Sequence, residues 1–135
     1  MGLLNKNNIK NIKTDDIKFN KKDIKFGTVV MFRDGSAGVF VDPEHYYIIS
    51  DCFPLVNSRE ENSGIFITHS KEDDCLYVDL DDLSNDLRNN AIKELNIDRI
   101  YKRKLCDWQI EQLLLDVDFT DTMLELLEEK NYIER

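Results

Sequence analysis

The chain has 135 residues, enough for one compact domain and too few for two of ordinary size. Apolar residues make up 41% and aromatics 10%, a globular and not a disordered composition. The 27 acidic against 18 basic residues give a formal net charge of −9, which argues against a general nucleic-acid binder and against an anionic membrane surface.

Other classes are excluded by what the chain lacks. No apolar run reaches the length of a membrane span, and Met1-Gly2-Leu3-Leu4-Asn5-Lys6 has neither the apolar region of a secretory signal nor the Ser or Thr of a myristoylation signal at position 6. The expected setting is therefore cytoplasmic. The three cysteines, Cys52, Cys75 and Cys106, are widely spaced without a C-x-x-C pair, and His45 and His69 stand at no zinc-ligand spacing from them. Cys52 and Cys75 read as small apolar fillers of strands, and His45 as a turn residue.

Taken in chain order, charge divides the sequence. Residues 1–33 carry eight Lys/Arg against three Asp, whereas residues 34–135 carry ten Lys/Arg against 24 Asp/Glu. Three parts are expected: a basic arm over 1–25, a β-rich body over 26–104, and a C-terminal helical hairpin over 105–135 packed on the body. Within the arm, Asp16-Ile17-Lys18-Phe19 is echoed by Asp23-Ile24-Lys25-Phe26, and each piece alternates like a short half-buried strand.

Gly27 to Arg33 and Ala37 to Val41 are β-rich runs around Asp34-Gly35, a strong two-residue hairpin signal. Further strands are expected at Tyr46–Ser50, Phe53–Val56, Gly64–Thr68, Cys75–Val78 and Ile97–Arg103, with a helix begun by Ser84 and running through Leu87, Ala91, Ile92 and Leu95. Ile110, Leu113, Leu114 and Val117 mark one apolar helical stripe, and Phe119, Met123, Leu126 and Leu127 another. Thr120 is the expected cap of the second helix, and Trp108 the expected anchor of the hairpin on the sheet. The fold class is α+β: a small antiparallel curled sheet or SH3-like barrel, then a helical hairpin. The two helical stripes either cover their own sheet or form a homodimer face.

No P-loop, G-x-G-x-x-G, H-E-x-x-H or nucleophile elbow occurs, so no catalytic residue, metal or cofactor is expected. An EF-hand loop from Asp116 would need Gly at 121 and Glu at 127, where Asp121 and Leu127 stand. The feature that remains is acidic. Asp73, Asp74, Asp79, Asp81, Asp82 and Asp86 fall within fourteen residues that hold no Lys or Arg. Were residues 78–82 extended, Asp79 and Asp81 would share a face ~6.8 Å apart, near the spacing of adjacent phosphates. Such a row is a candidate binding surface for a partner protein with a basic, nucleic-acid-binding surface, the chain itself binding no nucleic acid. A second expectation is a nucleotide-sequestering pocket, built from Arg33, Arg99, Arg103 and the Tyr46/Tyr47 pair.

Phe26-Gly27-Thr28-Val29-Val30-Met31-Phe32-Arg33-Asp34-Gly35 resembles the opening "gDvV-lRdG" of small hypothetical proteins from phages and prophages of Gram-positive bacteria. Tyr77-Val78-Asp79-Leu80-Asp81-Asp82-Leu83 and Ile97-Asp98-Arg99-Ile100-Tyr101-Lys102 are similar to that group's "Y-dDL" and "DI-kVY" segments, in the same order over residues 26–104. The resemblance implies no activity and no catalytic residues. It implies a mobile-element origin, where small acidic proteins act by binding and blocking host proteins, defence nucleases among them.

Overall fold

The computed structural model describes residues 20–51, 63–69, 75–116, 118–127 and 131–134. Its centre is a six-stranded antiparallel sheet: β1 (Val29–Phe32), β2 (Ala37–Val41), β3 (Ile65–His69), β4 (Cys75–Asp79), β5 (Ile97–Tyr101) and β6 (Tyr132–Glu134). The order β4-β3-β2-β1-β5-β6 leaves β4 and β6 as edges, so the sheet is open and the barrel alternative does not apply. The α+β class holds.

β1 and β2 are the expected hairpin, with Val30 opposite Gly38 and Met31 opposite Ala37. The turn has three residues instead of two. Gly35 N–H closes on the Phe32 carbonyl at 2.9 Å, and Gly35 takes φ +89°, which only glycine adopts without strain. The Asp34 carboxylate accepts from Ser36 N–H at 2.8 Å and holds the turn's exit.

Alternation along the strands divides the core in two. Val29, Val39, Val41, Ile65 and Ile67 face one side, and Val30, Phe32, Phe40 and Phe66 the other. On the first side lie two short helices, α1 (Asp107–Leu113) and α2 (Phe119–Glu125), which bury Ile110, Leu113, Phe119 and Met123, with Leu127 buried just after α2. Their apolar stripes are therefore directed at the chain's own sheet. On the second side Phe66 meets the rings of Phe40 at 5.1 Å and Phe32 at 5.9 Å, beneath Leu80, Leu83 and Leu87. A register shift between Met31 and Phe32 in the β1–β5 ladder breaks β5's alternation and puts Ile97 on the same side as Ile100.

Several expected elements take another form. Residues 46–50 are not a strand: Pro43–Ile48 is a 3-10 helix with proline in its first turn, where its fixed φ fits and its missing N–H costs nothing. Residues 84–95 are not one continuous helix; only Lys93–Leu95 is helical, as a 3-10 turn. The buried Asn89 carboxamide oxygen accepts from Ala91 N–H and Ile92 N–H, and that of Asn96 accepts from Asn89 N–H at 2.6 Å. These side chains take the backbone donors a helix would need. Lys21–Asp23 is a 3-10 turn closed by an Asn20/Asp23 capping box, after which Ile24 packs into the second core; the echo at 23–26 is no strand. Its partner at 16–19, the arm before residue 20 and the strand expected at 53–56 lie outside the described residues. α2 is preceded by Asp118 as N-cap and not by Thr120, and Trp108 is 61% exposed and outside both core clusters, so it is not the anchor on the sheet. After α2 the chain adds β6, which pairs with β5 through Ile133 opposite Ile100.

No helix among the described residues is long and apolar enough to cross a membrane.

Candidate functional site

The acidic run lies where edge strand β4 leaves the sheet. Strand pairing ends at Asp79, opposite Ile65, and Leu80–Asp82 forms a 3-10 turn because Leu80 must dive into the second core. The run is therefore not extended, and the even ~6.8 Å row expected from strand geometry is replaced by an acidic corner. Asp79 caps the turn, its carboxylate accepting from Asp81 N–H at 3.1 Å. Asp81 is exposed and accepts from Ser63 N–H at 3.1 Å. Asp82 is exposed, and its side chain makes no hydrogen bond or ion pair with a described residue.

Asp86 is drawn away from this group. Its carboxylate takes the Ser84 hydroxyl and pairs with Arg88 Nε at 3.2 Å. Of the six expected residues the structure thus brings Asp79, Asp81 and Asp82 together, and it places Asp86 in the next turn. Asp73 and Asp74 lie outside the described residues.

A second group of polar side chains gathers on the segment that sequence periodicity reads as a helix. Arg33, Arg88, Lys93 and Asn90 surround a depression of about 270 Å³ whose lining also includes Asn89 and Asn96. The β1–β2 turn is tied to this segment by Arg33 N–H to the Asn96 carbonyl (2.8 Å) and Asp34 N–H to the Glu94 carbonyl (3.0 Å). Those two bonds bring Arg33 beside Arg88 and Lys93. Arg33 also faces Asp98 at 3.7 Å, at the border of a neighbouring groove lined by Arg99 and Glu134.

The nucleotide pocket expected from Arg33, Arg99, Arg103 and the tyrosines is brought together only in part. Arg33 and Arg99 share a groove, but Tyr46 is buried in the first core and Tyr47 is exposed beside Leu114 and Leu115 on another surface. Arg88 and Lys93 are the cations that sequence reasoning passed over. Their signal was the asparagine-rich stretch Asn89-Asn90, which opposes a helix and favours a looped, hydrogen-bonding segment.

Cys52 lies outside the described residues, as do the side chains of His69 and Cys75; His45 and Cys106 have local duties. The His45 ring stacks on Phe26 at 3.7 Å and pairs with the Asp42 carboxylate. Cys106, exposed, precedes α1, and the Gln109 side chain accepts from its backbone N–H at 2.9 Å. Among the described residues no three His, Cys, Asp or Glu side chains converge as metal ligands.

Set against protein-family models, curated proteins and solved structures, the chain matches none. Function is therefore argued from its own residues.

Proposed function

We propose that the chain is a non-enzymatic, phage- or prophage-encoded binding protein that inhibits a host nucleic-acid-handling or defence protein by docking an acidic surface on it. The observation that carries this reading is the corner at the end of β4, where Asp79 caps the 3-10 turn that carries the exposed Asp81 and Asp82. Negative potential at an exposed corner of a −9 protein accelerates encounter with a basic partner and disfavours acidic ones. The phage-like segments support the setting, and the segment resembling "Y-dDL" is the one that carries these acids.

In this reading the partner is a host protein with a basic surface in the bacterial cytoplasm. α1 and α2 act as a helical hairpin that stiffens the sheet from behind and take no part in the contact.

The experiment is affinity capture from a Gram-positive host lysate at low and high salt, followed by reconstitution with the purified partner. The expected result is a stoichiometric, salt-sensitive complex that weakens at least tenfold in an Asp81→Lys/Asp82→Lys protein of unchanged thermal stability. Equal affinity in the reversed protein at moderate salt overturns the acidic-surface reading. Self-association lost on substituting the exposed Trp108 or Leu115 would favour a homodimer instead.

A further inference from the structure

The depression between the β1–β2 turn and residues 88–96 has a composition at odds with the rest of the chain. Three cations, Arg33, Arg88 and Lys93, border it in a protein of net charge −9. Like charges repel, so such a cluster costs the fold energy unless an anion shares the site. The nearby carboxylates offset it incompletely. Asp98 stands 3.7 Å from Arg33 Nη2, Asp86 lies 3.2 Å from Nε of Arg88, and Lys93 has no acidic partner among the described residues. Arg88, with a side chain 53% exposed, brings a guanidinium fork, the donor arrangement that suits a phosphoryl oxygen edge.

A second, independent observation lies in its floor. Asn89 and Asn96 are each only 6% exposed. The carboxamide oxygen of each is committed to backbone N–H groups, which fixes the orientation of both amides. Each Nδ2 is then left as a donor pair with no acceptor among the described residues, although both side chains line the depression. Buried amide donors are satisfied as a rule, and two unmet ones beneath three cations are the inverse image of an acceptor-rich anion.

We propose that this depression binds a phosphoryl group, either as free phosphate or as the terminal group of a small organic phosphate. Asn89 and Asn96 donate from the floor through Nδ2, Arg88 and Lys93 neutralise charge at the rim, and Arg33 closes the side nearest the turn. At about 270 Å³ the site is below the usual range of organic-ligand pockets, which suits a phosphoryl group with the remainder of any larger ligand outside. Among the described residues no aromatic ring lines it, so they supply no base-stacking preference. The site is separate from the acidic corner, and its test is independent of that reading.

The test is a titration of the ¹⁵N-labelled full chain with inorganic phosphate, pyrophosphate and adenosine monophosphate, at constant ionic strength against sodium chloride. The readout is the side-chain Nδ2 resonances of Asn89 and Asn96, assigned by their loss in Asn89→Asp and Asn96→Asp, which keep the carboxyl oxygen acceptors. The expected result is a saturable shift of both resonances. An Arg33→Gln/Lys93→Gln protein, altered only at the exposed rim, should bind at least tenfold more weakly with its thermal midpoint not lowered. Tightest binding of inorganic phosphate identifies the free ion as ligand, and tighter binding of adenosine monophosphate or pyrophosphate identifies the organic or condensed form. Resonances that stay in place, shifts that chloride reproduces, or equal affinity in the double variant overturn the proposal.

Discussion

Arg99 on β5 stands directly opposite Glu134 on β6, and its Nη2 lies 2.9 Å from the Glu134 carboxylate. The same guanidinium lies 4.4 Å over the ring of Tyr132, which meets the ring of Tyr101 at 5.4 Å. Burial pulls the Arg99 proton affinity down, but Tyr101, Tyr132 and Glu134 raise it above the ordinary value, so the group stays charged throughout the useful pH range. β6 is a three-residue edge strand, too short to be held by ladder bonds alone. Arg99 is the side chain that clasps it.

Removing that clasp has a local signature. Both partners are substantially exposed, so the pair contributes about 0.2–1 kcal/mol and the ring contact about 0.5–1 kcal/mol. Arg99→Ala should lower global stability by only about 1 kcal/mol. Hydrogen exchange at the β5–β6 ladder, however, should quicken several-fold while the β2–β3 ladder keeps its protection. Uniform loss of protection across the sheet would show that β6 does not open separately.

A sharper loss is expected at Gly27. Its φ is +85°, and a Cβ there would stand 2.0 Å from the Leu105 carbonyl oxygen, an atom of the backbone and not of a yielding side chain. The close approach is itself structural, since Leu105 N–H donates to the Gly27 carbonyl at 2.9 Å and Gly27 N–H to that of Phe40 at 2.9 Å. Strain and overpacking together make Gly27→Ala cost about 2–4 kcal/mol in denaturant unfolding. A change below about 0.5 kcal/mol would mean that Leu105 can retreat.

Strands were legible where β-branched apolar residues run between turn signals. Val29–Phe32, Ala37–Val41 and Ile65–His69 are such runs, and Asp34-Gly35 placed their first turn. Tyr46–Ile49 carries the same composition, but Asp42-Pro43 before it starts a 3-10 helix that buries Tyr46 and Ile48 and leaves Tyr47 outside. The 84–95 stretch misleads for the opposite reason. Its apolar residues recur at helical spacing, yet Asn89 and Asn96 bind the backbone, so Leu87 and Leu95 reach the second core without a continuous helix and Ile92 stays exposed. β6 is three residues long and borrows its place from β5, which no local pattern reports. Of the acidic residues, the sequence showed their density but not the turn that bends Asp81 and Asp82 out of line. The Arg33–Arg88–Lys93 group was invisible for a related reason: it forms only when the first hairpin meets residues 88–96.

Leu87 gives a case where backbone and side chain pull in opposite directions. It has φ +62°, costly for leucine by about 1–2 kcal/mol, yet its side chain is fully buried between Phe66 and the neighbouring leucines of the second core. Burial contributes about 1.5–3 kcal/mol and outweighs the strain. Leu87→Ala keeps the strained backbone and loses the packing, for a cost of about 2–4 kcal/mol. Leu87→Gly loses the same packing but relieves the strain, so it should be less destabilising than Leu87→Ala, by about 1 kcal/mol. Elsewhere in regular structure glycine is the worse of the two. Chemical denaturation of the two variants decides it, and a glycine protein less stable than the alanine one would show that Leu87 is not strained.

Asp116 supplies the pH dependence. The Thr122 hydroxyl donates to its carboxylate at 2.6 Å and Asp118 N–H at 2.8 Å, and together they hold its pKa below the ordinary aspartate value, the hydroxyl contributing most. Both bonds favour the charged form, so the unfolded chain takes up a proton here before the folded one does. The resulting stabilisation is complete above the unfolded value near pH 4 and declines as pH falls through the lower folded value. Its structural meaning is specific, because Asp116 ties the link after α1 to the first turns of α2. Acid unfolding of Thr122→Val should therefore begin at higher pH than that of the unaltered protein, since the carboxylate loses its stronger donor. Asp116→Asn should remove this contribution to the pH slope below about pH 4, leaving a flatter curve. Superimposable acid-unfolding curves for all three proteins would place the acid sensitivity of the fold at other carboxylates and leave the Asp116–Thr122 bond a matter of local geometry alone.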